Sequence, residues 1–165
     1  MTAQVIITDH DRWRKGVGGS RAGLSGESDS SSYSGLDLNL AQFTSSTFSG
    51  STFAATTFKH AEWSGCRFSN CVFNACDFES IGVSDCTFVG CTFSNSHFNA
   101  GRLSRSTFLQ CTWTALNFDN GSWSQVDVLD CHGSGITASD LRGQQVNFTG
   151  SRFEGLQFNN AIING

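Results

Sequence analysis

Along this chain large side chains recur at a fixed interval of five residues. That spacing suits neither the 3.6-residue period of an α-helix nor the two-residue alternation of a strand. All fifteen phenylalanines fall on the series, from Phe43 through Phe68, Phe88 and Phe108 to Phe158. Trp63, Trp113 and Trp123 share it, as do Leu38, Val83, Leu103, Val128 and Ile163. Two residues before each centre runs a second series of small or apolar residues, which holds all seven cysteines. Residues two apart on an extended backbone point the same way, so both series are predicted to face inward. The other three positions of each unit are mostly Ser, Thr, Asn, Gly, Gln or charged, and read as the solvated outside. The register is unbroken from Leu38 to Ile163, so internal repetition decides the fold.

Only Gly133, Ala138 and Gly143 are small at the centre. There the second series carries Cys131, Ile136 and Leu141, which restore part of the missing volume, as a close-packed interior requires. Residues 133–145 are therefore either a weak coil or a local bulge or loop, since Asp140-Leu141-Arg142-Gly143 also reads as a unit in a shifted frame.

Units such as Cys66-Arg67-Phe68-Ser69-Asn70, Cys76-Asp77-Phe78-Glu79-Ser80 and Val146-Asn147-Phe148-Thr149-Gly150 resemble the pentapeptide-repeat family, whose motif is Ala-(Asp/Asn)-(Leu/Phe)-X-X. The resemblance covers residues 36–165 and departs from the motif in using Cys or Ser where Ala is usual. It implies an all-β fold: a right-handed quadrilateral parallel β-helix with four units per coil and about six and a half coils. Residues one coil apart should then stack at roughly one strand spacing, ~4.8 Å. Cys71, Cys91, Cys111 and Cys131 form one inward ladder, with Cys66 against Cys86. Outside, Lys59 meets Glu79, Asp77 meets His97 and Asp85 meets Arg105.

Residues 1–35 lack the repeat and are expected to be a flexible N-terminal segment. Ser20–Gly35 is rich in Ser and Gly. The segment is open to three readings: a disordered tail, a cap on the first coil, or a recognition or export tail. As a cap, Val5-Ile6-Ile7 would add a short strand and Trp13 would cover the coil.

Composition narrows the function classes. No run approaches the ~20 apolar residues of a membrane span, and Met1–Gly18 shows no signal-peptide stretch. With seven cysteines, an odd number, the thiols are expected to be reduced and the compartment cytoplasmic. The cysteines interchange with Ser, Thr and Ala in the inward series and match no zinc-ligand spacing, so they read as structural. His60, His97 and His132 project outward on separate units, and a filled solenoid offers no cleft for catalysis. A non-enzyme without cofactor or metal is expected.

Recognition is then left to the surface. Val89, Leu109 and Leu129 should stack as an apolar stripe for a protein partner. No helix follows Ile163 in this sequence, so Phe158 and Ile163 are expected to form an unprotected C-terminal edge, a candidate homodimer contact. The leading reading is a non-enzymatic scaffold for protein–protein interaction. The resemblance implies an alternative, because the Phe-rich branch of the family includes DNA mimics that bind DNA gyrase and protect it from quinolones or toxins. Asp77, Glu79, Asp119 and Asp140 would then form the acidic face. Ten acidic and six basic residues in 36–165 are a thin excess for imitating a polyanion. A secreted bacterial effector is a lesser alternative, and neither direct nucleic-acid binding nor membrane association is expected.

Overall fold

In the computed structural model, which describes residues 2–165, the five-residue interval closes into a four-sided parallel β-solenoid of about seven turns. Gln42–Thr44, Glu62–Ser64 and Gly82–Ser84 stack on the first wall, and Thr47–Ser49, Arg67–Ser69 and Thr87–Val89 on the second. The third wall carries Thr52–Ala54, Val72–Asn74 and Thr92–His97. On the fourth, strands give way to tight turns in which the Ala61 and Ile81 N–H groups donate to the Phe58 and Phe78 carbonyls at 3.1 Å. Bridges Asp37↔Thr57↔Asp77↔His97 keep that wall in register. Asp37 and Asp77 shape these turns by accepting the N–H two residues on, from Asn39 at 3.1 Å and Glu79 at 3.0 Å.

Inward rings stack along the axis in the same register. Phe48, Phe68, Phe88 and Phe108 lie nearly parallel at centroid separations of 4.7, 4.8 and 4.6 Å. Neighbouring walls meet edge to face, as Phe88 and Phe93 do at 5.6 Å and 66°. Phe68 and Phe88 thus have parallel neighbours above and below and tilted ones beside them, both favourable quadrupole arrangements. Phe43, Phe58, Phe68, Phe73 and Phe78 are fully buried, and each such side chain contributes about 1.5–3 kcal/mol of transfer free energy.

The chain turns between walls at the fifth residue of every unit, and from Leu40 to Asn160 each of these corner residues has a positive φ. Only Gly50, Gly65, Gly90, Gly135, Gly150 and Gly155 among them are glycine. The others include Asn70, Asp85, Ala75 (φ 55°) and Arg105 (φ 46°). Left-handed backbone costs an L-residue roughly 1–2 kcal/mol, so the corners store strain that the ring stack and backbone ladders hold in place.

The N-terminus differs from expectation. Val5-Ile6-Ile7 is not a strand but lies inside helix α1 (Ala3–Arg14), which Thr2 caps by accepting the Val5 N–H at 3.3 Å. Ala3, Ile7 and His10 are turned against the first coil, whereas Trp13 is 38% exposed and does not cover it. His10 is fully buried, its Nδ1 accepting from the Ala22 N–H at 2.8 Å and its Nε2 lying 2.7 Å from the Asn39 carbonyl. Asp11 accepts the Asp37 N–H at 2.7 Å, and Arg14 pairs with Asp37 at 3.2 Å.

The Ser/Gly-rich tract is likewise not a flexible linker. It forms strands Gly23–Ser25, Ser28–Asp29 and Ser32–Ser34, which pair with the coil that follows. The repeat was hidden there by a one-residue shortening. Leu24 and Asp29 pair with Phe43 and Phe48, whereas Tyr33 pairs with Phe53. Asp29 stands buried where every later coil of that wall has an apolar centre, and it is satisfied by the Tyr33 hydroxyl and the Ser51 hydroxyl, each at 2.6 Å.

Residues 133–145 keep the regular register, with Gly133 opposite Trp113 and Phe153 and Gly143 opposite Trp123 and Ile163, so the bulge is excluded. A Cβ at Gly133 would fall 1.6 Å from the Trp113 carbonyl oxygen, which explains why glycine stands there.

Two outcomes follow from the corners and the helix. Ala75→Gly should raise stability by about 0.5–1 kcal/mol and Ala75→Val should lower it by about 1–2 kcal/mol, as read from thermal melts. Burial holds the His10 pKa below its ordinary value, with the Asn39 carbonyl partly opposing. The neutral ring is therefore the docked form, and its contribution is complete above the unfolded pKa of about 6.5 and lost as pH falls through the lower folded value. Hydrogen-exchange protection of α1 and of the Ala22 amide should drop as pH falls below about 6.5 while the Phe68–Phe108 coils stay protected, and His10→Phe should abolish that difference.

Candidate functional site

The thiols were the first chemical candidates. All seven are free and buried. Cys71, Cys91, Cys111 and Cys131 donate from Sγ to the carbonyl oxygens of Phe48, Phe68, Phe88 and Phe108, at 3.4, 3.3, 3.3 and 3.3 Å. Ser151 repeats the contact with Val128 at 2.6 Å. The inward small residue is thus a donor to the neighbouring coil's backbone, which accounts for Cys and Ser where the motif has Ala. Burial pushes the Cys76 thiol up to about 11, away from the thiolate that nucleophilic chemistry needs. Among the described residues no group of three or more His, Cys, Asp or Glu is placed to hold a metal ion. No helix there is long and apolar enough to cross a membrane.

On the outside, Val89, Leu109 and Leu129 stack in direct register on the second wall. Ser69 lies below the stripe. The three side chains are half-buried rather than projecting, because the flat wall packs each against its neighbours. The more exposed apolar residues stand elsewhere: Val72 alone on the third wall, Val5, Trp13 and Val17 near α1, and Leu156 and Ile162 at the C-terminal end. Val5 and Trp13, expected to cap the first coil, are exposed on the helix instead.

The acidic face is largely engaged. Lys59 lies 3.6 Å from Asp77 and 3.7 Å from Glu79. Asp119 accepts the Ser139 N–H at 2.7 Å, and Asp140 accepts from the Asn160 side-chain amide. On the first wall Asp85 pairs with Arg105 at 2.9 Å. Glu62 reaches over Gly82, two coils in all, to Arg102 at 3.0 Å. Asp77 and His97 share a bridge register without an ion pair among the described residues. Exposed pairs like these contribute little to stability, and on the acidic face the single Lys59 interrupts the run of carboxylates at Asp77 and Glu79.

Contrary to expectation, the column is not filled throughout. A cavity of about 480 Å³ lies toward the C-terminal end, walled chiefly by Trp113, Trp123, Ile136, Phe148, Phe153 and Phe158. Phe158, which lines it, and Ile163 are both half-buried.

A family profile described as "pentapeptide repeat region" matches residues 61–137 and 82–165, and one for "pentapeptide repeats (9 copies)" matches 38–82. The chain belongs to the pentapeptide-repeat family. Among solved structures, a trypsin-treated R167E form of QnrB1, a plasmid-mediated fluoroquinolone resistance protein, is similar at a TM-score of 0.50 and 17% identity, over 80% of this chain and 88% of that one. HetL, a pentapeptide-repeat protein involved in heterocyst differentiation regulation in the cyanobacterium Nostoc sp. strain PCC 7120, is 12% identical with a TM-score of 0.37, over 98% and 94%. These likenesses concern the fold. No curated protein matches the sequence.

The thiol geometry has a measurable consequence. Ellman's reagent should leave all seven cysteines of the native protein unreacted and label seven in guanidinium. Because the folded Cys76 pKa stands above its unfolded value, the protonated thiol favours the folded state. That contribution is intact below about pH 9 and lost as pH rises toward about 11, so melting temperatures should fall across that window.

Proposed function

We propose that this pentapeptide-repeat chain is a non-enzymatic scaffold that docks a protein partner on its second wall, centred on Val89, Leu109 and Leu129. The observation that carries this reading is the exact stacking of those three side chains on a rigid, flat parallel sheet. Such a wall presents contact area at little cost in lost chain freedom. The remaining surface is polar and charge-paired, as the rim of an interface is. An end-to-end homodimer through Phe158 and Ile163 is the less favoured docking mode, because the cavity beside Phe158 interrupts that edge.

A second reading, protection of DNA gyrase from quinolones, is favoured by the likeness to QnrB1. Lys59, set between Asp77 and Glu79 on the acidic face, weighs against it. The gyrase reading carries with it the expectation of a bacterial cytoplasm.

Immobilised wild-type protein and Leu109→Asp, compared by capture from bacterial lysate, decide between them. The stripe reading expects a partner retained by the wild type and reduced at least about ten-fold on the variant, a typical loss when an interface core residue becomes charged. Equal recovery on both removes the stripe as contact surface, and gyrase subunits recovered equally on both establish the second reading.

A further inference from the structure

Among the described residues no coil precedes the first, and side chains of α1 take over the bonds that such a coil would make. In later turns the Thr57 and Asp77 N–H groups donate to the Leu36 and Thr56 carbonyls of the coil before, at 3.0 and 3.1 Å. The equivalent Asp37 N–H donates instead to the Asp11 carboxylate at 2.7 Å. The Lys59 and Glu79 carbonyls accept from Leu40 and His60 of the coil before, at 2.9 and 3.1 Å. At the equivalent Asn39 carbonyl the partner is His10 Nε2, 2.7 Å away. The other ring nitrogen, Nδ1, accepts the Ala22 N–H at 2.8 Å. Lys15 and Arg21 reach the Gly35 and Leu40 carbonyls at 3.4 and 3.3 Å. The helix and the residues just after it thus occupy both donors and acceptors of the first coil's edge.

His10 makes this cover sensitive to acid. Because Nδ1 accepts from Ala22, the neutral ring carries its proton on Nε2 and donates it to Asn39. A second proton would turn Nδ1 into a donor aimed at the Ala22 N–H, and would place a charge where the residue is fully buried. Burial lowers its pKa, with Arg14 and Arg21 acting in the same direction and the Asn39 carbonyl and Asp37 opposing. The nearby carboxylates are already engaged, Asp11 by Lys15 at 2.8 Å, Asp37 by Arg14 at 3.2 Å and Asp9 by Arg12 at 3.6 Å. Of the strands beneath the helix, Gly23–Ser25 holds no titratable group, and Ser28–Asp29 holds Asp29, bound by the Tyr33 and Ser51 hydroxyls. Apolar anchoring is slight: only Ala3 and Ile7 of the helix are buried apolar residues, in one cluster with Leu24, Tyr33 and Leu38.

We propose that α1 is an acid-released lid over a self-pairing edge: a second proton on His10 lifts the helix, and the uncovered first-coil strands pair antiparallel with those of a second copy. The edge suits its own copy because it carries N–H donors (Ala22, Asp37) together with carbonyl acceptors (Gly35, Asn39, Leu40), which a two-fold axis can match. An edge with free N–H and C=O groups is a template for such pairing. The second wall stays clear of this contact, so failure of the lid leaves the stripe reading standing.

The test joins light scattering to amide-resolved hydrogen exchange on the full chain, from neutral pH to about pH 4.5, below the ordinary imidazole value of about 6.5. The expected mass rises about two-fold in acid, as a closed two-fold dimer requires. The α1 amides should lose protection at every concentration. Ala22 and Asp37 amides should lose it when dilute and regain it as concentration rises. Ile7→Asp, which drives the lid off without acid, should dimerise at neutral pH, and His10→Phe should stay monomeric in acid. Protected α1 amides in acid, an opened wild type that stays monomeric, or a dimer whose Ala22 and Asp37 amides remain unprotected overturns the proposal. A dimeric His10→Phe, or growth past two copies, overturns it as well. If Ile7→Asp does not fold, the wild type in acid decides alone.

Discussion

Two independent spacings have to agree for this molecule to exist. Backbone hydrogen bonds between coils fix the rise at about 4.8 Å. Stacked phenyl rings on the second wall sit at 4.6–4.8 Å, so side-chain packing and backbone pairing reinforce each other at every turn. A column of mixed aliphatic side chains would fill volume, but it would not repeat one contact geometry from coil to coil. The strained corners depend on this agreement. Left-handed residues with side chains, such as Ala75 and Arg105, persist at these bends because the coils on either side are already held.

The same dependence explains what was readable from sequence. Interval, inward series, coil length and stacking pairs such as Asp85 with Arg105 follow from side-chain identity alone, since every unit repeats one environment. The N-terminal coil was illegible for two physical reasons. One residue is missing between Asp29 and Tyr33, which breaks the interval, and a satisfied carboxylate replaces a ring at Asp29. Ala22-Gly23-Leu24-Ser25-Gly26 still carries the motif and was the available signal. Helix α1 was harder to see, because its buried side is short and includes His10 and Asp11, polar residues that find their partners only on the assembled coil.

At the surface, sequence placed the residues correctly but not their state. Val89, Leu109 and Leu129 do stack, yet their burial depends on the flatness of the wall. The acidic residues do share a face, but Asp77 also shapes its own turn and shares Lys59 with Glu79, which no count of charges reveals. The role of the inward sulfur atoms was likewise hidden, since donation to a carbonyl 23 residues back requires the coil geometry.

The coil length has a last consequence, for how such a chain can change size in evolution. Losing five residues from the middle would rotate everything downstream by one wall and set unlike side chains face to face, whereas losing twenty would join like to like. Growth and shrinkage should therefore proceed in whole turns. The shortened unit at Asp29 shows where the rule relaxes: near an end, where only one short flank must bear the misalignment.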